Sequence, residues 1–184
     1  MFNTSELDFL QVYETYQPRI LRYLIRLVGA DEAEDLAQVV FMRVNQSLAS
    51  FRGESQFSTW LYRIATNTAI DKLRTTSFRQ SEQAAALDDS YESETKEVWS
   101  GEEPASLEQI LLQRERLECF VRFVKSLPLN YQIIILLSEI ENLTSAEIAA
   151  ILGLTQETVK IHLHRGRTRL LRALRENCRP EEWL

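Results

Sequence analysis

Apolar positions recur at helical spacing through nearly all of residues 4–75. Leu7, Leu10, Tyr13, Ile20, Leu21, Leu24 and Val28 make one stripe and predict a first helix. Pro18 predicts a kink or restart inside it, because proline lacks an N–H and crowds the preceding turn. Gly29 predicts its stop. Asp31 with Glu34 three residues on is a capping-box-like pair that predicts the start of a second helix. Leu36, Val40, Val44 and Leu48 are its inward face. A loop is predicted over Phe51–Gln56, and a third helix from Phe57 to Arg74, burying Phe57, Trp60, Leu61 and Ile64.

The pattern lapses over 79–105, which is rich in Glu, Asp, Ser and Ala and has too little apolar surface to offset its ordering entropy. It then resumes. Ser106 with Gln109 predicts a helix to Lys125 that buries Ile110, Leu117, Val121 and Val124. Pro128 breaks it. A second helix is predicted over Asn130–Ile140, and Thr144 with Glu147 caps a short third helix ending near Leu152. Gly153-Leu154 is a turn, and Thr155 caps a long last helix reaching Glu176. The expected fold class is all-α. Two small helical domains, 1–78 and 106–184, are joined by a flexible acidic linker, 79–105, and the second is a helix-turn-helix domain.

The helix-turn-helix reading rests on fixed offsets. Ala149 is small where two helices approach, Gly153 can take positive φ, and Ile148, Leu152, Val159 and Leu163 supply a shared core. Such a second helix enters the major groove by its N-terminal half. Its outward residues are Gln156, Glu157, Lys160, Ile161, His164 and Arg165. Arginine pairs two acceptors on guanine, and Ile161 can pack on a thymine methyl. Thr144, Thr158 and Arg167 are placed for phosphates, which position without specifying. The plainer alternative is a helical hairpin with a solvated basic face.

Charge sharpens this picture. The 184-residue chain carries net charge −6. Residues 1–80 balance nine acids with nine bases, residues 81–106 carry eight acids against Lys96, and residues 107–184 carry ten acids against eleven bases. Seven of those bases lie within 155–179. Acidity is thus central and a basic stripe lies near the C-terminus, a hint about partners rather than fold. In the first domain Phe51, Phe57, Trp60 and Tyr62 crowd near Arg52, with Arg63, Asn67, Lys72 and Arg74 following. Rings among cations suit single-stranded nucleic acid, although Phe57 and Trp60 read more simply as core.

Several classes are excluded. No purely apolar run is longer than Ile133–Leu137, which is far short of a membrane span. Met1–Glu6 has no basic segment leading an apolar stretch, so no leader is expected. Cys119 and Cys178 have neither disulfide-scaffold nor zinc spacing. His162 and His164, two apart on a helix, diverge. No nucleophile–base or Gly-rich phosphate arrangement is present. The expectation is a cytoplasmic non-enzyme with no catalytic residue, cofactor or metal and no direct membrane insertion.

Both blocks, in order, resemble the small extracytoplasmic-function sigma factors of bacterial RNA polymerase. The resemblance covers Tyr13–Arg74 and Leu107–Leu174. Its carriers are Ala33-Glu34-Asp35-Leu36-Ala37-Gln38, Phe51-Arg52-Gly53-Glu54-Ser55 and Trp60-Leu61-Tyr62-Arg63-Ile64-Ala65-Thr66-Asn67. The second block adds Leu127-Pro128, Leu143-Thr144-Ser145-Ala146-Glu147-Ile148-Ala149, Thr158-Val159-Lys160 and Arg165-Gly166-Arg167.

The resemblance implies that Asp35 and Gln38, with Val39 and Phe41, dock on the clamp helices of the polymerase β′ subunit. It implies a pocket for a flipped −10 base from the Phe51–Ser55 loop, including Arg52 and Ser55, and from Asn67. Arg63, Lys72 and Arg74 then face the adjoining DNA. Gln156, Lys160, Ile161, His164 and Arg165 face the −35 element. The implied partners are core RNA polymerase, including its β flap, promoter DNA, and an anti-sigma factor of a kind often anchored in the inner membrane. The implied role is initiation at promoters of a stress, envelope or metal-response regulon. A net-acidic chain binding DNA only as a polymerase subunit fits, since phosphate neutralisation dominates affinity.

There are departures. Val39 stands where the family commonly carries an acid. Gly166 stands mid-helix where alanine is common, at roughly 1 kcal/mol of helix propensity. The alternative is a helix-turn-helix regulator that acts without being a polymerase subunit. Thr158–Leu163 also resembles the recognition helix of quorum-sensing-type activators, but the first block looks like neither a sensor nor a receiver. A helical interaction protein that no longer reads DNA is the third reading.

Overall fold

The computed structural model describes residues 8–82, 117 and 119–177, and all regular structure among them is helical. The Ser106–Gln109 cap and residues 83–105 of the expected linker lie outside the described residues.

Helix α1 spans Phe9–Val28, with the Asp8 carboxylate accepting from the Leu10 N–H at 3.3 Å. Pro18 lies inside this helix, which does not restart. The buried stripe Val12, Ile20, Tyr23, Leu24 and Leu27 runs along both sides of the proline, and tertiary burial outweighs one missing hydrogen bond. Helix α2 spans Ala30–Leu48. Gly29 ends α1 and starts α2 at φ 103°, ψ 164°, donating its N–H to the Ile25 carbonyl. This corrects the expected cap. With a glycine at that junction no side chain caps α2, and Asp31 falls with Glu32 in the first turn, where negative charge meets the positive helix end.

Helix α3 spans Phe57–Glu82 and continues beyond Arg74, past the expected boundary at 78. Its inward face meets expectation at Leu61 and differs at the other three positions. Leu61, Tyr62, Ala65 and Ala69 are buried, while Phe57, Trp60 and Ile64 are only half-buried. The two alanines leave room for α1 and α2 to come close. Two buried threonine hydroxyls of α3 find partners on the neighbouring helices. The Tyr23 hydroxyl meets Thr66 Oγ1 at 3.0 Å, and Arg43 donates to Thr68 Oγ1 at 2.9 Å.

The second domain contains α4 (119–125), α5 (Leu129–Ile135), a π-helical turn (Leu136–Ile140), α6 (Ser145–Leu152) and α7 (Gln156–Asn177). The apolar run Ile133–Leu137 is wholly buried. The single helix expected over 130–140 instead changes register, and the Glu141 N–H reaches back to the Leu136 carbonyl. Asn142 then takes φ 55°, a left-handed conformation that asparagine tolerates. The domains share a boundary: α3 packs on α6, and α1 touches the π-helical turn.

Candidate nucleic-acid interface

Each junction of the helix-turn-helix is closed by local chemistry. Thr144 caps α6 in a full capping box: its hydroxyl accepts the Glu147 N–H, and Glu147 Oε2 accepts the Thr144 N–H at 2.8 Å. Gly153 ends α6 in the left-handed region at φ 66°, ψ 33°, with its N–H on the Ala149 carbonyl. Leu154 donates to the same carbonyl at 3.0 Å. Thr155 Oγ1 accepts the Thr158 N–H at 3.2 Å and opens α7. Ile148, Ala149, Ile151, Val159 and Leu163 are buried between the two helices.

That packing settles the opposite face of α7. Gln156, Lys160, Ile161, His164 and Arg165 are all exposed. Ile161 is 50% exposed despite being apolar. His162 faces inward, edge-on to Tyr131 at 5.5 Å, so the two histidines do diverge. Gly166 is buried. A β-carbon there would stand 2.9 Å from Ile135 Cδ1, so the mid-helix glycine marks a close approach of α7 to α5.

The three expected phosphate contacts differ among themselves. The Thr144 and Thr158 hydroxyls are both engaged in caps, Thr158 with Thr155 Oγ1 at 2.9 Å. The Arg167 guanidinium is anchored to Glu139 Oε1 through Nε at 2.9 Å and Nη2 at 2.6 Å.

In the first domain Phe51, Phe57 and Trp60 form a mutual ring cluster, with centroids 5.1–5.4 Å apart, and Tyr16 adds a fourth ring. The cluster roots the Phe51–Gln56 loop on α3. Arg52 is exposed there and Ser55 half-buried. Asn67 is exposed one turn beyond Arg63 on the same face of α3. Lys72 is ion-paired with Glu32, and Arg74 is exposed. Tyr62 is separated from the ring cluster. It is fully buried and packs edge-on against Tyr23 at 5.5 Å. Burial raises its phenol pKa, and the charge of Glu141 raises it further.

Asp35, Gln38 and Val39 lie exposed along α2. Phe41 is buried with its ring 4.9 Å from Tyr13, and with Gln38 it lines a shallow cleft. It underpins that face rather than standing out from it. Met42, one turn beyond Gln38 on α2 and passed over by sequence reasoning, is 59% exposed, and Leu10, expected in the α1 stripe, is 63% exposed. The signal was present, since Met42 falls off the Leu36–Val40–Val44 stripe. Glu141 was missed altogether. It is a buried acid whose partners come from the other domain.

Comparison with known proteins follows the same division. The family description "Sigma-70 region 2" matches residues 12–79, and "Sigma-70, region 4" matches residues 117–170. The ECF RNA polymerase sigma factor SigW of Bacillus subtilis is 34% identical over 172 residues, covering 91% of this chain and 89% of SigW. The ECF RNA polymerase sigma-E factor of Escherichia coli K12 is 34% identical over 154 residues, covering 83% and 78%. Among solved structures, the sigma factor RpoE in complex with the anti-sigma factor NepR from Bartonella quintana has the same fold, at TM-score 0.72 and 23% identity over 94% of this chain and 99% of that one. CnrH in complex with the cytosolic domain of CnrY aligns at TM-score 0.61 and 20% identity, over 92% and 88%. With both regions matched in order and relatives one-third identical along most of its length, the chain belongs to the extracytoplasmic-function RNA polymerase sigma factors.

Proposed function

We propose that this sigma factor divides promoter recognition between its domains. The first docks core polymerase on the Asp35–Gln38–Val39 face of α2, supported from beneath by Phe41. Its loop residues Phe51, Arg52 and Ser55, with Asn67, hold a −10 base already out of the stack. Arg63, Lys72 and Arg74 track the adjoining strand. The second domain reads the −35 duplex with Gln156, Lys160, Ile161, His164 and Arg165. Thr144, Thr158 and Arg167 lie against phosphates, Arg167 with its orientation set by Glu139.

The observation that carries this reading is the bare face of α7. Five side chains, four of them polar and one apolar, stand exposed together on α7, while Val159, Leu163 and Leu170 are buried on its other side. Val39 and Met42, exposed on α2 with Asp35 and Gln38, support the docking role.

Control by an anti-sigma factor, cytoplasmic action and a stress, envelope or metal-response regulon belong to the same proposal. Anti-sigma control is supported by a structural neighbour solved in complex with its anti-sigma factor. No helix among the described residues is long and apolar enough to cross a membrane. Footprinting with and without core polymerase tests the reading. Protection only in the presence of core supports it, protection by the chain alone favours an independent regulator, and none in either case favours a scaffold.

A further inference from the structure

Where α3 packs on α6 and α1 on the π-helical turn, one buried carboxylate gathers the polar contacts between the domains. Glu141 follows the π-helical turn, and its side chain is 6% exposed. The Tyr62 hydroxyl from α3 donates to Glu141 Oε2. From α1, Arg26 Nη1 lies 3.6 Å from Oε1 and Arg19 Nη2 lies 3.9 Å from Oε2. All three partners belong to the first domain. Beside this cluster, Arg63 Nη2 donates to the Ala150 carbonyl in α6 at 2.5 Å.

Two physical points follow. The polar groups that cross this boundary can release one another, because water satisfies the same groups once the domains part. Desolvation of a buried ion pair largely offsets its attraction, and polar boundaries between domains permit motion by default. The closed arrangement also conflicts with promoter binding. Elements near −10 and −35 are about 25 steps apart, roughly 85 Å of duplex at 3.4 Å per step. A compact chain of this length has a radius of gyration of roughly 16 Å. Domains packed side by side cannot span that distance, and Arg63 cannot follow DNA while seated on α6.

We propose that Glu141 is a latch by which the second domain restrains the first, so that this sigma factor is held closed by its own contacts before any inhibitor binds. Opening releases Tyr62, Arg26 and Arg63 together and is required for productive engagement of polymerase. The masking of Arg63 rests on its assignment to the −10 face, whereas the latch itself does not.

The test uses the full chain without inhibitor, as wild type, Glu141→Gln and Tyr62→Phe, with circular dichroism melts identifying the folded variants. Glu141→Gln keeps the shape of the side chain and removes its charge. Tyr62→Phe removes only the hydroxyl and approaches the latch from the other domain. Small-angle scattering should give a compact wild type and a larger radius of gyration for each folded variant. Apparent affinity for core polymerase should rise about fivefold or more, because a binding-competent state populated only in part lowers apparent affinity by that fraction. An extended wild type, or folded variants as compact as wild type, overturns the latch. Opened variants with unchanged core affinity overturn the restraint. Scattering needs no polymerase, so failure of the latch is distinguished from failure of the docking assignment.

Discussion

Gly166 of α7 lies against Ile135 of α5 so closely that a β-carbon would stand 2.9 Å from Ile135 Cδ1 and 3.5 Å from Tyr131 Cβ. Gly153, at the turn, has nothing within 4 Å of the same construction and is instead fixed by φ 66°. One glycine is required by space and the other by backbone conformation. Gly166→Val should cost about 1–3 kcal/mol through overpacking, while Gly166→Ala should change stability by less than about 1 kcal/mol as helix propensity offsets the contact. Gly153→Ala should cost about 1–2 kcal/mol, the penalty of a left-handed L-residue, and Gly153→Asn less. Urea unfolding checks all four, and a Gly166→Val protein as stable as wild type would remove the close-approach account.

Asp35 and Asn67 are both exposed, on different helices, so replacing either should move stability by no more than about 0.5 kcal/mol. Their functional effects should separate. Asp35→Ala should weaken core polymerase binding by about 1 kcal/mol or more, the scale of an interface residue that matters. Asn67→Ala should bind core normally and fail to expose −10 thymines to permanganate. Unchanged core affinity in the first, or normal reactivity in the second, would contradict the respective assignment.

Arg165 is exposed, whereas Arg167 is clamped by Glu139. Arg165→Ala should therefore cost about 1–3 kcal/mol at one base position and relax preference there. Arg167→Ala should weaken holoenzyme binding evenly across promoter variants, and Glu139→Gln should do so more mildly by loosening the orientation of Arg167. Binding of a −35 variant library by reconstituted holoenzyme distinguishes the two patterns.

Tyr23 and Tyr62 have phenol pKa values raised chiefly by burial; the Thr66 hydrogen bond opposes this at Tyr23, and Glu141 reinforces it at Tyr62. The unfolded value is about 10. Stability from these neutral tyrosines is therefore complete below about pH 10 and declines as pH rises further, because only the unfolded chain releases the protons. Lys125, whose pKa is lowered by burial, acts in the opposite sense and is unchanged by tyrosine substitution. Thermal midpoints from pH 9 to 11 should fall less steeply in Tyr23→Phe/Tyr62→Phe than in wild type. An equal slope would contradict the assignment.

The helix-turn-helix was legible because a residue type marks each of its junctions: Thr144 with Glu147, Gly153, Thr155. The outward face of α7 followed from the positions of Val159 and Leu163. The π-helical turn was not legible, since Leu136–Ile140 carries the same apolar texture as an α-helix. Pro18 and Asp31 misled because burial of the α1 stripe and the shared Gly29 cap outweighed local signals. Glu141 shows the limit most plainly. An isolated acid has no sequence signature when its partners, Tyr62 and Arg26, lie on another domain. Gly166 looked like a loss of propensity until Ile135 was found opposite it.

Run-off transcription with purified core polymerase on a randomised promoter library tests the central claim most directly. The account predicts that core plus this chain yields transcripts from templates sharing one −35 and one −10 sequence, that core alone does not, and that Lys160, Ile161, His164 or Arg165 variants shift only the −35 preference. Failure to enrich any template, with core shown active by another sigma factor, would contradict it.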